Sequence, residues 1–413
     1  MKIYLKTLGC KVNQVETTQI ASALIGKGLT LTEHHDEAHI IIINTCSVTT
    51  RSDAKSRKEI RRALNAPCCT RVIATGCSAT IQGEVLSGLD KRVIVEPDKA
   101  HIADLISSLA DTQTISTQKG SVSLPKNLIR ARVNLKISDG CENFCSYCIV
   151  PHARGPMRSI PAKDLLKQAS DLVEDGVKEI VLTGINIGTY RDGDLDLASL
   201  IERLSNESGI HRIRISSIEP PSFGSEMIIM LRNSPVLCEH FHIPLQSGSN
   251  KVLGEMNRHY RADQYRELIT QIRQVAPDCA IHSDIIVGYP TETEDDFEET
   301  LALADELMFA GMHLFKFSSR PQTAAGSLTP LRPEVLDERF ARLQEVSKRH
   351  ARTYREKRLS AQKPLELLVE SIKANSVVAT SREHIRISWE VGDPAFPNVA
   401  VGDIVEYRER ERL

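Results

Sequence analysis

The sequence predicts an α/β protein: an N-terminal parallel sheet with helices on both faces, a full or partial β/α barrel in the middle, and a small β-rich end. Three observations carry this. Strand-length apolar runs alternate with helical stretches over residues 1–118 and again over 130–330. Cysteines stand repeatedly just past the carboxyl ends of those runs. Beyond residue 360 the helical period gives way to short strand-like runs with glycine turns. The 413 residues suffice for two or three domains, and 41% hydrophobic with 26% charged residues excludes a disordered or fibrous chain. Met1 to Cys10 has no apolar signal-like core, and the longest aliphatic run, Ile40–Ile43, is too short for a bilayer, so a cytoplasmic protein with no membrane partner is expected. In that compartment ten cysteines read as metal ligands and buried thiols rather than disulfides. A net charge of −2 neither requires nor excludes a nucleic-acid partner; clustering of the basic residues decides that.

In the N-terminal part, strands are expected at Lys2–Leu8, Ala38–Ile43, Val72–Thr75 and Val93–Val95, and helices at Val15–Gly26, Thr49–Leu64 and Ile81–Leu89. Cys10, Cys46 and Cys77 each follow one of the first three strands. In open α/β sheets the carboxyl ends of the strands form one edge with a ligand crevice, so these three cysteines, 36 and 31 residues apart, are expected to converge as a three-thiolate site. The competing reading is three unrelated buried thiols. Cys68 and Cys69 lack this placement, and Cys238 and Cys279 read as small core hydrophobes. The helix after Cys46 carries Arg51, Lys55, Lys58 and Arg62 on one stripe, either a solvated face or a phosphate-contacting surface beside the metal site. A Thr-, Ser- and Gln-rich stretch, Asp111–Lys126, reads as a linker, with the first domain spanning 1–118.

From Val133 six strand–helix units follow, with strands at Val133–Ile137, Glu179–Leu182, Arg212–Ile218, His240–Leu245, Ala280–Val287 and His313–Phe317. Units of this kind wind into a barrel whose active site lies at the carboxyl ends of the strands. There the sequence places Gly184, Ser217, Glu219 and Gln246, residues suited to close backbone approach and to hydrogen bonds with ribose, carboxylate or amine groups, hence a small polar cofactor site. A long helical stretch, Pro333–Leu359, closes this domain (127–359) with a basic exit. The remaining domain, 360–413, suggests a small β-barrel or sandwich. From Ala351 onward it balances 11 basic against 10 acidic side chains, so RNA binding is not legible from the tail alone.

At the carboxyl end of the first barrel strand lies Cys141-Glu142-Asn143-Phe144-Cys145-Ser146-Tyr147-Cys148. Three thiolates in eight residues aim at one point, and thiolates select zinc, copper(I) or iron–sulfur clusters. A closed zinc site wants a fourth ligand, and His152 is the nearest candidate. Three-of-four ligation with the spacing Cys-x-x-x-Cys-x-x-Cys instead fits a 4Fe-4S cluster with one open iron, as in enzymes that use S-adenosylmethionine (SAM) as a radical source.

The chain resembles the radical-SAM methylthiotransferases from residue 1 to about 330. The matching residues are Leu8-Gly9-Cys10-Lys11-Val12-Asn13, Asn44-Thr45-Cys46, Thr75-Gly76-Cys77, Cys141 to Cys148 with Arg154-Gly155, Pro244-Leu245-Gln246-Ser247-Gly248-Ser249, Met256-Asn257-Arg258 and Asp284-Ile285-Ile286-Val287-Gly288. Thr291 and Gln322 stand where the family usually has Gly. The resemblance implies a flavodoxin-like N-terminal domain, a radical-SAM partial (β/α)6 barrel, and a short, degenerate relative of the family's RNA-binding β-domain, TRAM. It implies two 4Fe-4S clusters, one on Cys141, Cys145 and Cys148 that binds SAM, and an auxiliary one on Cys10, Cys46 and Cys77 that carries the sulfur. No catalytic side chains beyond these ligands are implied. Tyr147 would pack against the SAM adenine, its alternative being a core aromatic; Gly184, Ser217, Glu219 and Gln246 are the other expected SAM contacts. The family's branches act on isopentenyladenosine or threonylcarbamoyladenosine next to the tRNA anticodon, or on a ribosomal-protein aspartate. Lys11-Val12-Asn13, Ser216 to Pro220 and Phe317 to Pro321 look most like the threonylcarbamoyladenosine branch. The implied partners are the tRNA anticodon stem-loop, an electron donor and a sulfur source. From another class, a non-catalytic metal-stapled RNA-binding protein would fit the same cysteines with zinc at both sites.

Overall fold

The computed structural model describes residues 1–110, 131–396 and 398–408. The expected linker at 111–126 lies outside them. The described chain divides into two units.

The first unit is built on a five-stranded, all-parallel sheet of β1 (Lys2–Thr7), β2 (Thr30–Leu31), β3 (Ile40–Thr45), β4 (Arg71–Gly76) and β5 (Val93–Val95), in the order β2-β1-β3-β4-β5. That order is the flavodoxin-like one, with its switch point between β1 and β3. The aliphatic run Ile40–Ile43 makes a central strand buried on both faces. Ile41 and Ile43 pack with Ile60 of α2 (Thr50–Leu64) and Ala79 of α3 (Cys77–Ser87). Ile40 and Ile42 pack with Leu24 of α1 (Lys11–Gly26) and Ile106 of α4 (Ile102–Ala110). A helix on each face is what a continuously apolar strand demands. Two later segments, Cys148–Pro156 and Ser318–Thr323, also belong to this unit.

The second unit carries six parallel strands: β6 (Arg132–Lys136), β7 (Glu179–Thr183), β8 (Arg212–Ile215), β9 (His240–His242), β10 (Ala280–Val287) and β11 (Gly311–Lys316). Single bridges at Ile213–Leu237 and Ser217–His242 join β8 to β9, so the strands follow one another in chain order as a partial barrel. Its helices, among them α5 (Ala162–Glu174), α6 (Leu197–Glu207), α7 (Ser225–Asn233), α8 (Ala262–Val275) and α9 (Glu294–Leu307), bury the outer face of the sheet in one continuous core. The 27-residue α10 (Pro333–Leu359) then leads to an antiparallel sheet of β12 (Leu365–Lys373), β13 (Ser376–Ser381), β14 (Arg386–Glu390) and β15 (Ile404–Tyr407). The strand order is β14-β13-β12-β15, so among the described residues this is one open sheet, not the barrel or sandwich expected. Four short strands supply too few pairings to close.

This sheet seals the amino-end floor of the barrel. Glu179, Arg212 and Arg214 are buried there, with Arg214 Nε 2.7 Å and Arg212 Nε 3.2 Å from the Glu179 carboxylate. Arg214 also donates to the backbone oxygens of Ser381 at 3.0 Å and Arg382 at 2.8 Å, in the turn after β13. Burial opposes the charge on Glu179, but Arg214 and Arg212 outweigh it and hold the carboxyl down at about 2. No described helix is long and apolar enough to cross a membrane.

Candidate active site

In the first unit the loops after β1, β3 and β4 place Cys10, Cys46 and Cys77 along one sheet edge. Gly9, at φ +93°, leaves the space its neighbour needs. A Cβ there would stand 2.8 Å from Cys46 Cβ and 2.9 Å from its Sγ, so the Cys46 thiol lies directly against the backbone leading into Cys10. Gly76, at φ +86°, allows an equally close approach, since a Cβ there would meet Asn44 Oδ1 at 2.3 Å. The loops are tied by side chains. Asn13 Nδ2 donates to the Leu8 oxygen at 2.7 Å and the Thr45 oxygen at 3.0 Å, bridging the first two cysteine loops. Asp53 accepts from Ser47 Oγ at 2.7 Å, Gln82 Nε2 at 2.8 Å, Ser78 Oγ at 3.3 Å and Arg320, clamping the Cys46 loop to the start of the Cys77 helix.

Arg154 completes this edge. Its guanidinium donates to Glu16 Oε1 at 2.8 Å and Asn13 Oδ1 at 2.5 Å, and it hydrogen-bonds the Cys77 thiol. Burial pushes that thiol's pKa up, Arg154 pulls it down, and Cys10 and Cys46 are close enough to push it up again. The three thiols thus lie near one another at this edge of the sheet. Three soft donors beside a fixed cation fit an anionic iron–sulfur cluster.

In the second unit Cys141 and Cys145 lie in the loop after β6; Cys148 opens the segment that belongs to the first unit. This loop is cinched by the turn 255–258. Asn257, at φ +56°, donates to the Asn143 and Phe144 oxygens at 3.1 and 3.2 Å, and Ser146 N donates to the Met256 oxygen at 3.1 Å. Arg258 brings Nη1 to 3.3 Å from Cys145 Sγ, pairs through Nη2 with Glu219, and lies 5.1 Å from the centre of the Tyr260 ring. Burial works against the Arg258 charge, but Tyr260 and Glu219 hold the guanidinium above its ordinary value; burial pushes the Glu219 carboxyl up. Burial also raises the Cys141 thiol. Cys145, Glu219, Arg258 and Tyr260 line a cavity of about 140 Å³ together with Asn143 and Asn186.

Of the expected SAM contacts, Glu219 lines that cavity. Ser217 is exposed at the end of β8, and Gln246 sits at φ +62°, bridged to Ile285 of β10. Gly184 has a packing reason of its own, because a Cβ there would lie 2.3 Å from Ser138 Oγ. Tyr147 packs with Met256, Ile286 and Tyr289 in a small apolar cluster. Further into the barrel Asp284 accepts from His242 Nε2 at 2.9 Å, with His313 Nδ1 at 3.3 Å; burial opposes its charge, yet the two imidazoles hold it at about 2. The basic stripe Arg51, Lys55, Lys58 and Arg62 on α2 is exposed. The main omissions from the sequence reading are Arg258, Arg154 and Asp53. The first two stand inside quoted motifs, Met256-Asn257-Arg258 and Arg154-Gly155, where their charge was the available signal.

Comparison with known proteins places this architecture. Residues 135–304 match the Radical SAM superfamily, and residues 2–95 match an uncharacterised protein family, UPF0004. Among solved structures, the radical S-adenosylmethionine methyltransferase TsrM from Kitasatospora setae superposes with a TM-score of 0.58 at 12% identity, covering 79% of this chain and 77% of that one, a likeness of fold alone. The fold and its cysteine loop thus define a radical-SAM enzyme. Two curated relatives extend the match over most of the chain. A tRNA-2-methylthio-N(6)-dimethylallyladenosine synthase of Thermodesulfovibrio yellowstonii is 37% identical over 358 residues, 84% of this chain and 82% of its own. The threonylcarbamoyladenosine tRNA methylthiotransferase MtaB of Chlamydia pneumoniae is 34% identical over 408 residues, 97% of this chain and 93% of its own. The chain belongs to the radical-SAM methylthiotransferase family.

Proposed function

We propose that this enzyme transfers a methylthio group to C2 of N6-threonylcarbamoyladenosine at position 37 of tRNA. The observation that carries the reading is a second three-cysteine set, Cys10, Cys46 and Cys77, at the strand ends of the first unit and far in sequence from the Cys141–Cys148 loop. A single radical-forming site needs only the loop; a second three-thiolate set supports a further cluster to carry the sulfur. Cys141, Cys145 and Cys148 would hold the SAM-binding 4Fe-4S cluster, and Cys10, Cys46 and Cys77 the auxiliary one. When bound, the first cluster and SAM supply one-electron cleavage of SAM to a hydrogen-abstracting radical.

The chain's own residues do the rest. Arg258 neutralises charge at Cys145 and fixes Glu219, whose carboxylate then faces the cavity for the SAM amine or ribose. Ser217 and Gln246 add hydrogen-bonding groups at neighbouring strand ends, and Tyr147 walls the adenine side against water. Arg154 counters the negative charge gathered at Cys10, Cys46 and Cys77. The exposed stripe Arg51, Lys55, Lys58 and Arg62 offers contacts to the tRNA backbone. An electron donor and a sulfur source complete the cycle.

The threonylcarbamoyl branch is supported by the Lys11-Val12-Asn13 and Ser216 to Pro220 motifs and by the relative of that name matching 97% of this chain. The similarity to a dimethylallyladenosine enzyme supports the sister substrate. Mass spectrometry of tRNA nucleosides separates them. Cells lacking the gene are expected to lose 2-methylthio-threonylcarbamoyladenosine and accumulate its precursor, with the gene restoring it. Loss of the isopentenyl form instead moves the enzyme to the other branch, and no change in any tRNA nucleoside overturns the tRNA reading.

A further inference from the structure

The floor of the barrel holds three imidazoles from three different elements. His240 begins β9, His282 is the third residue of β10, and His384 comes from the turn between β13 and β14 of the terminal sheet. One ring nitrogen from each lies within 4.8 Å of the others, and His240 Nε2 stands 3.3 Å from His282 Nδ1. The ring centres are 4.6, 4.8 and 5.8 Å apart.

The His240–His282 nitrogen separation is that of a metal-chelating pair, and the third ring is within reach of the same point. Nitrogens bound at about 2.0–2.1 Å in a tetrahedral shell are about 3.3–3.4 Å from one another, and their rings stand about 5 Å apart. The surroundings support the same arrangement. Gly311, paired in register with His282, leaves room for the ring, since a Cβ there would come within 3.1 Å of His282 Nε2. His384 adopts φ +67°, a conformation uncommon for non-glycine residues, and in it the ring is delivered to the other two. The turn carrying it is anchored by Arg382, which donates to the Pro235 and Leu237 oxygens at 2.8 Å, and by the buried pair Arg358–Glu383.

We propose that His240, His282 and His384 bind one divalent cation of the zinc class, with water as fourth ligand, stapling the terminal sheet to the barrel floor. The site lies at the amino ends of the strands, away from the cysteines at their carboxyl ends, and it stands whichever substrate the enzyme modifies.

The test uses the iron-loaded enzyme titrated with Co²⁺. Wild type is expected to take up one Co²⁺ per chain with visible bands of an imidazole site, without the thiolate charge-transfer band that cysteine ligation gives. Zn²⁺ should displace it, the melting temperature should rise, and the iron content should stay constant. His384→Gly suits the left-handed turn and should fold. It is expected to weaken Co²⁺ binding by at least about 100-fold, beyond the 10–100-fold that even an outer-sphere partner is worth, and to abolish the metal-dependent rise in melting temperature. His282→Thr, on a different element, should do the same. An imidazole-type spectrum absent from wild type, or a stoichiometry and melting shift unchanged in His384→Gly, overturns the proposal and leaves the three rings a hydrogen-bonded cluster only.

Discussion

Single residues decide how each cysteine site is held. At the Cys10–Cys46–Cys77 edge the decisive ones carry no thiol. Gly9 admits the Cys46 side chain, Asn13 ties two loops, and Arg154 sets a positive charge on Cys77. Arg154→Gln is expected to lower the occupancy of an iron–sulfur cluster there, because it removes the one charge that counters the raised thiol. Iron and sulfide content, compared with Arg154→Lys, measures the loss, with partial recovery expected from lysine. At the barrel top, Cys145→Ala should abolish SAM cleavage, whereas Cys46→Ala should leave cleavage running while stopping methylthiolation; chromatography of 5′-deoxyadenosine against modified nucleoside reads both at once. The cysteines themselves were legible in the sequence, because a strand followed at once by Cys is a local pattern. Arg258 and Asp53 were not, because their ion pairs, with Glu219 and Arg320, join residues 39 and 267 positions apart through contacts that only the fold creates.

At the scale of the element, hydrophobic period located most of the longer strands and helices, but missed helix α4 (Ile102–Ala110) and the short β2. The two-residue β2 lies at the sheet edge, paired on one side only, and is too short to carry a pattern. Helix α1 begins at Lys11 rather than Val15 because its first turn, with Asn13 buried between backbone oxygens, is polar for the sake of the cysteine loop. The terminal sheet stays open where a barrel was expected, since strand count in a tail of some fifty residues is a tertiary outcome. Helix α2 shows one buried and one basic face, and the basic one is free of ion pairs at Arg51, Lys55, Lys58 and Arg62 among the described residues. Reversing Lys55 and Lys58 to Glu is expected to raise the KM for tRNA about tenfold or more at low salt, the difference shrinking as salt screens the phosphates, with uncoupled SAM cleavage unchanged. A KM indifferent to both substitutions would leave the stripe a solvated face.

For the molecule as a whole, the polar floor of the second unit is what binds the tail to the barrel. Glu179 is its centre. Glu179→Gln strands Arg212 and Arg214 in the interior and is expected to cost about 3–5 kcal/mol of stability, readable as a lowered denaturant midpoint. The pH dependence has a definite sign. The folded carboxyl titrates at about 2 against an ordinary 4.5, so its contribution is complete above about 4.5 and is lost as the pH falls from there toward 2. Wild type should therefore destabilise more steeply than Glu179→Gln across that window. The proposed pair of clusters leads to the measurement that tests the central claim most directly, iron and sulfide counting on anaerobically reconstituted enzyme. Two independently held clusters give about eight iron atoms per wild-type chain, and about four after Cys46→Ala or Cys77→Ala with SAM cleavage still running. About four in wild type, unchanged by either substitution, would contradict the account and leave the first unit without a cluster.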